Sequence, residues 1–180
     1  MVLSHYLLGA ESSPLKRALI DSGLGEDLDD LCGFGLEAIQ STFNAGLRKT
    51  TPDRAQAIED LILATLTHQS ENGFDRELFE GALRQVEFHL REISGGSFPY
   101  HLRLADRCLN AWLYDGDPLA HLAFEAPLTE LKTRLANDRG YVQTLIRQFL
   151  IENPHRLRTV IAASSEKGKE LESQSERQVA

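Results

Sequence analysis

Three features of this sequence predict an α+β fold in which a small antiparallel sheet of about three strands packs with six or seven helices. Apolar residues recur at helical spacing in several separate segments, each closed by Gly, Pro or Asn. The stretch 31–47 is rich in Phe, Leu, Ile and Thr without a helical period, as strands are. The run 156–163 (RLRTVIAA) follows the Asn153-Pro154 stop and reads as a short final strand.

The elements follow in order. In 2–20, Leu3, Tyr6, Leu7, Leu15, Ala18 and Leu19 suit helix on either side of a break at 9–14, where Ser12 or Ser13 can cap and Pro14 can take a first-turn position. Ser22-Gly23-Leu24-Gly25 stops that helix, and 26–30 is an acidic loop. Segments 31–40 and 41–47 form an expected antiparallel pair. Thr51-Pro52-Asp53 starts a helix striped by Ala55, Ile58, Ile62 and Leu66, flanked by Leu61, and ended at Asn72-Gly73. Asp75 starts another, where Leu78, Ala82, Val86, Leu90 and Ile93 share a face widened by Phe79 and Leu83. Ser94-Gly95-Gly96-Ser97 breaks it. A further helix carries Leu102, Ala105, Leu109 and Trp112 before the turn Asp115-Gly116-Asp117-Pro118. Short helices are expected at 118–124, 127–137 and 138–151. Beyond Ser164 the chain turns polar, and 164–180 reads as a frayed helix or disordered tail.

Composition narrows the function. The chain has 180 residues, enough for one domain with its own core. Acidic residues outnumber basic ones 27 to 19, for a net charge of −8, and the basic residues are scattered. A phosphate-backbone binder needs a basic face, so nucleic acid is excluded as an expected partner. No stretch approaches the roughly 18 apolar residues of a membrane span, and no secretory leader is visible. Cys32 and Cys108 lie apart without metal-ligand pairing, as free thiols of a reducing compartment do. The expected location is the cytoplasm.

The motifs that carry chemistry are fragments. His68-Gln-Ser-Glu71 and His89-Leu-Arg-Glu92 each supply H-x-x-E, but Asn72 and Ile93 stand where an inverted zincin needs its second histidine. His5, His101, His121 and His155 have no partner ligand at a metal-binding spacing and read as surface histidines. Gly33-Phe-Gly35-Leu-Glu-Ala38 formally matches a dinucleotide fingerprint, yet an acidic loop precedes it and a strand-like segment follows. No G-x-S-x-G elbow exists, and Asp115-Gly-Asp117 is followed by Pro118 and Leu119 rather than calcium ligands. No catalytic and no metal residue is assigned, and nothing here supports a stand-alone enzyme.

Three stretches together carry a resemblance. Tyr6-Leu-Leu-Gly9, Ser13-Pro-Leu15 and Ala18-Leu-Ile-Asp-Ser-Gly-Leu-Gly25 come first; Asn44-Ala-Gly-Leu47 and Glu71-Asn-Gly-Phe74 follow. Leu78 to Glu92 and Trp112-Leu-Tyr-Asp-Gly-Asp-Pro118 complete the order. Over roughly 3–163 the chain resembles presequence proteases of the insulinase and pitrilysin group of inverted zincins. That resemblance implies an incomplete insulinase-like metallopeptidase domain: the second, non-catalytic domain of the N-terminal half, over 1–163 and partial at its front. It further implies that 164–180 begins the linker between halves, and that zinc belongs to the full-length enzyme, held by H-x-x-E-H in a preceding domain. The implied partners are that zinc-binding domain, the C-terminal half and an unfolded peptide substrate. The chain would line the substrate chamber, with Gly33, Phe34 and Ile39 on a strand that contacts peptide. A second reading is an assembly module: a sheet this short leaves an edge that seeks a partner, so the isolated chain would form homo-oligomers.

Overall fold

The computed structural model describes every residue except 37, 73, 94–98, 165, 169–173 and 176–180. The breaks expected at Gly73 and at 94–97 therefore fall outside the described residues, as does most of the tail.

The chain opens with α1 (Val2–Leu8) and α2 (Pro14–Asp21). Between them Ser13 does not cap α2. Its hydroxyl instead accepts from the Ala10 N–H (2.9 Å) and donates to the His5 carbonyl (3.3 Å), tying the turn back onto α1. Gly9 is required there by close approach, since a Cβ would lie 2.4 Å from His5 Nδ1. Gly23, at φ +65°, ends α2 in the left-handed region.

The sheet is a ribbon of four short strands: β1 (Asp27–Leu28), β2 (Gly33–Gly35), β3 (Thr42–Asn44) and β4 (Leu47–Arg48). The inner ladder pairs Gly33 with Asn44, Phe34 with Phe43 and Gly35 with Thr42; the outer pairs Asp27 with Arg48 and Leu28 with Leu47. Both are antiparallel, so this is one nested hairpin with an interruption. The strands are shorter than expected for 31–40 and 41–47, and Ile39 lies in the hairpin loop rather than on a strand. Conversely, part of the expected acidic loop 26–30 is β1. Arg48 makes that possible by donating to Asp27 (2.7 Å) and Asp30 (2.7 Å), which offsets the carboxylate repulsion.

A 3₁₀ turn (Pro52–Arg54) leads into α3 (Ala55–Glu71). Next come α4 (Arg76–Arg91), capped by the Asp75 carboxylate accepting from Leu78 N–H at 2.9 Å, and α5 (Tyr100–Trp112). α6 (Glu125–Asn137) and α7 (Tyr141–Leu145) follow, the last continuing as a π-helical segment over Ile146–Ile151. The expected start at 138 is displaced to 141 because Asp138 folds back to accept from the Gly140 N–H (2.8 Å).

Two expected elements are absent from the described residues. Segment 118–124 forms successive turns, Ala120 N–H to Asp117 O (3.1 Å) and Leu122 N–H to Leu119 O (3.0 Å), because seven residues with no buried face do not repay helix nucleation. Segment 156–163 is no strand: 155–164 runs without helix, turn or bend and pairs with nothing. A strand needs a ladder partner, and the ribbon does not reach it. The α+β class stands, with four short strands in two ladders in place of about three strands.

The core joins α1, α2, α3, α4 and the C-terminal α7 segment. Leu7, Leu15, Leu19 and Ile146 are 0% exposed, with Tyr6, Leu66, Phe79 and Val142 beside them. Tyr6, Phe74 and Phe79 meet edge to face at centroid distances of 5.2–5.7 Å, a geometry aromatic quadrupoles favour. The Tyr6 hydroxyl donates to Gln69 Oε1 (2.6 Å) and accepts from the Asp75 N–H (3.2 Å), clamping α1 to the junction of α3 and α4. Burial pushes that phenol up to about 12.

Candidate functional site

Among the described residues, the ribbon and the helix α5 each expose apolar side chains. The ribbon is built on a turn at 29–32. Asp29 accepts from Leu31 N–H through its side chain (2.9 Å) and from Cys32 N–H through its carbonyl (3.0 Å). The Cys32 thiol then bridges the interruption, donating to the Gly46 carbonyl (3.3 Å) while its sulfur accepts from the Gly46 N–H (3.2 Å). Thus Gly46, which joins no strand, keeps its backbone groups satisfied; its carbonyl also accepts from Asp29 N–H (3.1 Å). Burial pushes the Cys32 thiol pKa up, opposed by the Gly46 N–H. A raised thiol is a structural group rather than a nucleophile.

Around this lock the charges are paired. The Arg48 guanidinium holds the Asp27 carboxyl below its usual range, helped by the Leu28 N–H, and Lys49 pairs with Glu26 at 2.7 Å. The ribbon also exposes apolar side chains: Leu31 in the 29–32 turn, Phe34 on β2, and Leu36 and Ile39 beyond it, Ile39 by 75%. Of the residues expected on a peptide-contacting strand, Gly33 and Phe34 do lie on β2. Ile39 is in the loop beyond it. Gly33 takes φ +134°, a conformation open to glycine, while Phe34 faces Phe43 across the ladder. Leu31 and Leu36 are exposed as well and were not singled out by the sequence, since alternation does not say which face meets solvent. Gly33-x-Gly35 opens no helix, which removes the dinucleotide fingerprint.

On α5, the expected apolar stripe forms but only Ala111 is buried. Leu102, Leu109 and Leu113 are exposed, and Trp112 is 66% exposed. Phe88 and Ile93 on and after α4 are exposed as well.

Among the described residues no constellation for a metal forms. His68 and His89 lie exposed on α3 and α4, and His89 Nδ1 is engaged with the Gln85 carbonyl at 2.7 Å. Among the described residues no three of His, Cys, Asp and Glu converge, so the residues present do not fit a zinc ion. Asp115 has φ +59° and Asp117 accepts from Leu119 N–H (2.9 Å), the geometry of a turn. No described helix is long and apolar enough to cross a membrane.

Comparison with known proteins decides the relationship. Presequence protease 1, chloroplastic/mitochondrial, of Arabidopsis thaliana is 37% identical over 172 residues, which is 94% of this chain and 16% of that protein. The chain resembles a segment of a presequence protease. The mitochondrial presequence protease of Danio rerio aligns over 98% of the chain at 25% identity, covering 17% of its own length. Protein HypA of Clostridium perfringens aligns at 34% over 93% of the chain and 16% of its own length. The chain therefore spans about one sixth of the presequence proteases it matches, and resembles a partial segment of an insulinase-like peptidase. No family model matches it.

Proposed function

We propose that this chain is a non-catalytic segment of a zinc-dependent peptidase that degrades unfolded peptides, and that it forms part of the substrate-chamber wall. The observation that supports this most is the match to presequence proteases along nearly the whole chain. Zinc would be held by a preceding zinc-binding domain. That domain and the C-terminal half are the proposed partners, and the α5 stripe with Trp112 is suited to docking one of them. In this reading residues 1–163 form the wall domain and 164–180 begin the linker between halves. The free Cys32 and Cys108 suit a reducing compartment, for which the cytoplasm is proposed; the plant and fish relatives carry organellar names.

Co-expression of this chain with the remainder of such a peptidase tests the assignment. The pieces are expected to co-purify and to regain zinc-dependent turnover of an unstructured peptide. Pieces that fail to associate, or a remainder equally active alone, overturn it. The peptide-contacting role of Gly33, Phe34 and Ile39 is checked separately. Phe34→Asp and Ile39→Asp in the complete enzyme should raise peptide KM roughly tenfold with kcat held, the equivalent of ~1.4 kcal/mol of lost contact. An unchanged KM removes the contact and leaves the wall intact.

A second reading, an interaction module that self-associates through an exposed sheet edge, is favoured by one observation: the unpaired run at 155–164.

A further inference from the structure

The C-terminal helix changes its winding part-way. From Tyr141 to Leu145 it is α-helical, and over Ile146–Ile151 it is π-helical, with the Glu152 N–H donating to the Arg147 carbonyl five residues back at 2.8 Å. Both portions contact α3. The winding decides which side chains reach the core that α3 shares. Val142 and Ile146 are buried there. In an α-helix the positions three and four beyond Ile146 share its face, so Phe149 and Leu150 would follow it inward. The π segment delays that return by one residue. Leu150 and Ile151 pack against the core instead, and Phe149 is 55% exposed beside the exposed Arg147 and Gln148.

The sequence suits either winding. Phe149, Leu150 and Ile151 are three consecutive apolar residues, and the inner face takes two of them. Leu150 is inward in both windings, so Phe149 and Ile151 compete for one place. A π turn is a rare winding, found mostly as a single turn within an α-helix and frequently at functional sites. Here it leaves the larger of the two competing side chains in water. We infer that this helix is a two-register device. In the observed register Ile151 is held against the core and Phe149 is displayed. In the other, the segment rewinds to α, Phe149 takes the inner place and Ile151 turns outward. The register also sets how the chain leaves the helix. Rewinding turns the chain beyond Ile151 by one residue's rotation, about 100°. That carries Arg158 away from Gln56 Oε1 (2.5 Å) and Glu59 Oε2 (3.0 Å) on α3, the acceptors of its Nη1. Those contacts favour the register that displays Phe149, and whatever draws Arg158 off α3 favours the register that hides it.

Burial of position 149 is the readout. Trp112→Phe removes the chain's one tryptophan, and Phe149→Trp places a probe on the device. Adding Ile151→Gln should cut the acrylamide quenching constant of that probe by about threefold, as the helix rewinds to bury position 149. Arg158→Ala should lower it in the same direction by a smaller factor of about 1.5, since an exposed ion pair biases an equilibrium only weakly. Melting temperatures of variants in the parent chain give an independent check. Phe149→Gln leaves the observed register intact, and Ile151→Gln is answered by the other, so each should lower the melting temperature by about 3 °C or less. The two together leave no apolar side chain for the inner place and should lower it by about 10 °C, well beyond the sum. Leu150→Gln, inward in both registers, should match the double variant by itself. Additive losses for the pair, an Ile151→Gln chain that unfolds, or a probe as quenchable with Ile151→Gln as without it each overturn the two registers. Quenching unmoved by Arg158→Ala overturns the coupling to the outgoing chain.

Discussion

Helices α4 and α5 carry the same kind of apolar stripe and meet opposite fates. On α4, Phe79, Ala82, Leu83 and Val86 are buried, because α1 lies across them and α6 is pinned alongside through Lys132. On α5 the equivalent residues Leu102, Leu109 and Trp112 stand largely in solvent, because no described element crosses that face. Amphipathic spacing thus commits a helix to having an inner face, while the neighbours decide whether anything lies within reach. The same contrast holds between the ribbon, whose short strands are locked by Cys32 and Arg48, and 156–163, whose strand-like run finds no ladder.

Substitutions in the two regions should separate them sharply. The largest effect is expected at Leu19→Ala or Leu15→Ala, both 0% exposed, with a loss of ~2–5 kcal/mol in urea unfolding. Leu109→Ala or Trp112→Ala on α5 should change the stability of this chain by only ~0.5 kcal/mol or less. Equal losses in the two sets would mean that the α5 face is covered in solution. Tyr6→Phe comes next: it strips the hydroxyl between Gln69 and Asp75 and should cost about 1–3 kcal/mol by the same assay, as a buried N–H loses its acceptor. Cys32→Ala should cost about 1 kcal/mol by releasing Gly46 and is read as faster amide exchange at Gly46 and Asp29.

The smallest effect concerns pH. Lys132, and then Arg91, hold the half-buried Glu87 carboxyl below its ordinary value of 4.5. A depressed folded-state pKa contributes stability that is present above 4.5 and is lost as pH falls through the lower folded value. The acid limb of a melting-temperature profile should therefore flatten slightly below pH 4.5 in Glu87→Gln, with no change in slope near neutrality. A variant that tracks the parent throughout would show that this bridge between α4 and α6 is fully screened.

Much of the fold was legible in the chain. The α4 stripe from Leu78 to Leu90, the Asp75 cap and the Pro14 and Pro52 helix starts all appear where local spacing places them, since each depends on contacts within one or two turns. The site was less legible. Phe34 could be assigned to a strand, but Ile39 could not be separated from it, because the interruption that shortens the hairpin is set by the Cys32–Gly46 contact, fourteen residues apart. Likewise, Ser13 was a plausible cap for α2 until the carbonyl of His5 and the N–H of Ala10 claimed it.

By itself the sequence determined most of the helical segments, the α+β class and the incompleteness of both H-x-x-E fragments, for these follow from residue type and short-range spacing. Only the tertiary structure decided that the four short strands form one interrupted ribbon and that Tyr6 is the clamp of the core. It also decided that the stripe of α5 and the run 156–163 remain uncovered among the described residues. Those outcomes depend on which distant groups come within reach, and burial and ladder pairing are properties of the neighbour as much as of the residue.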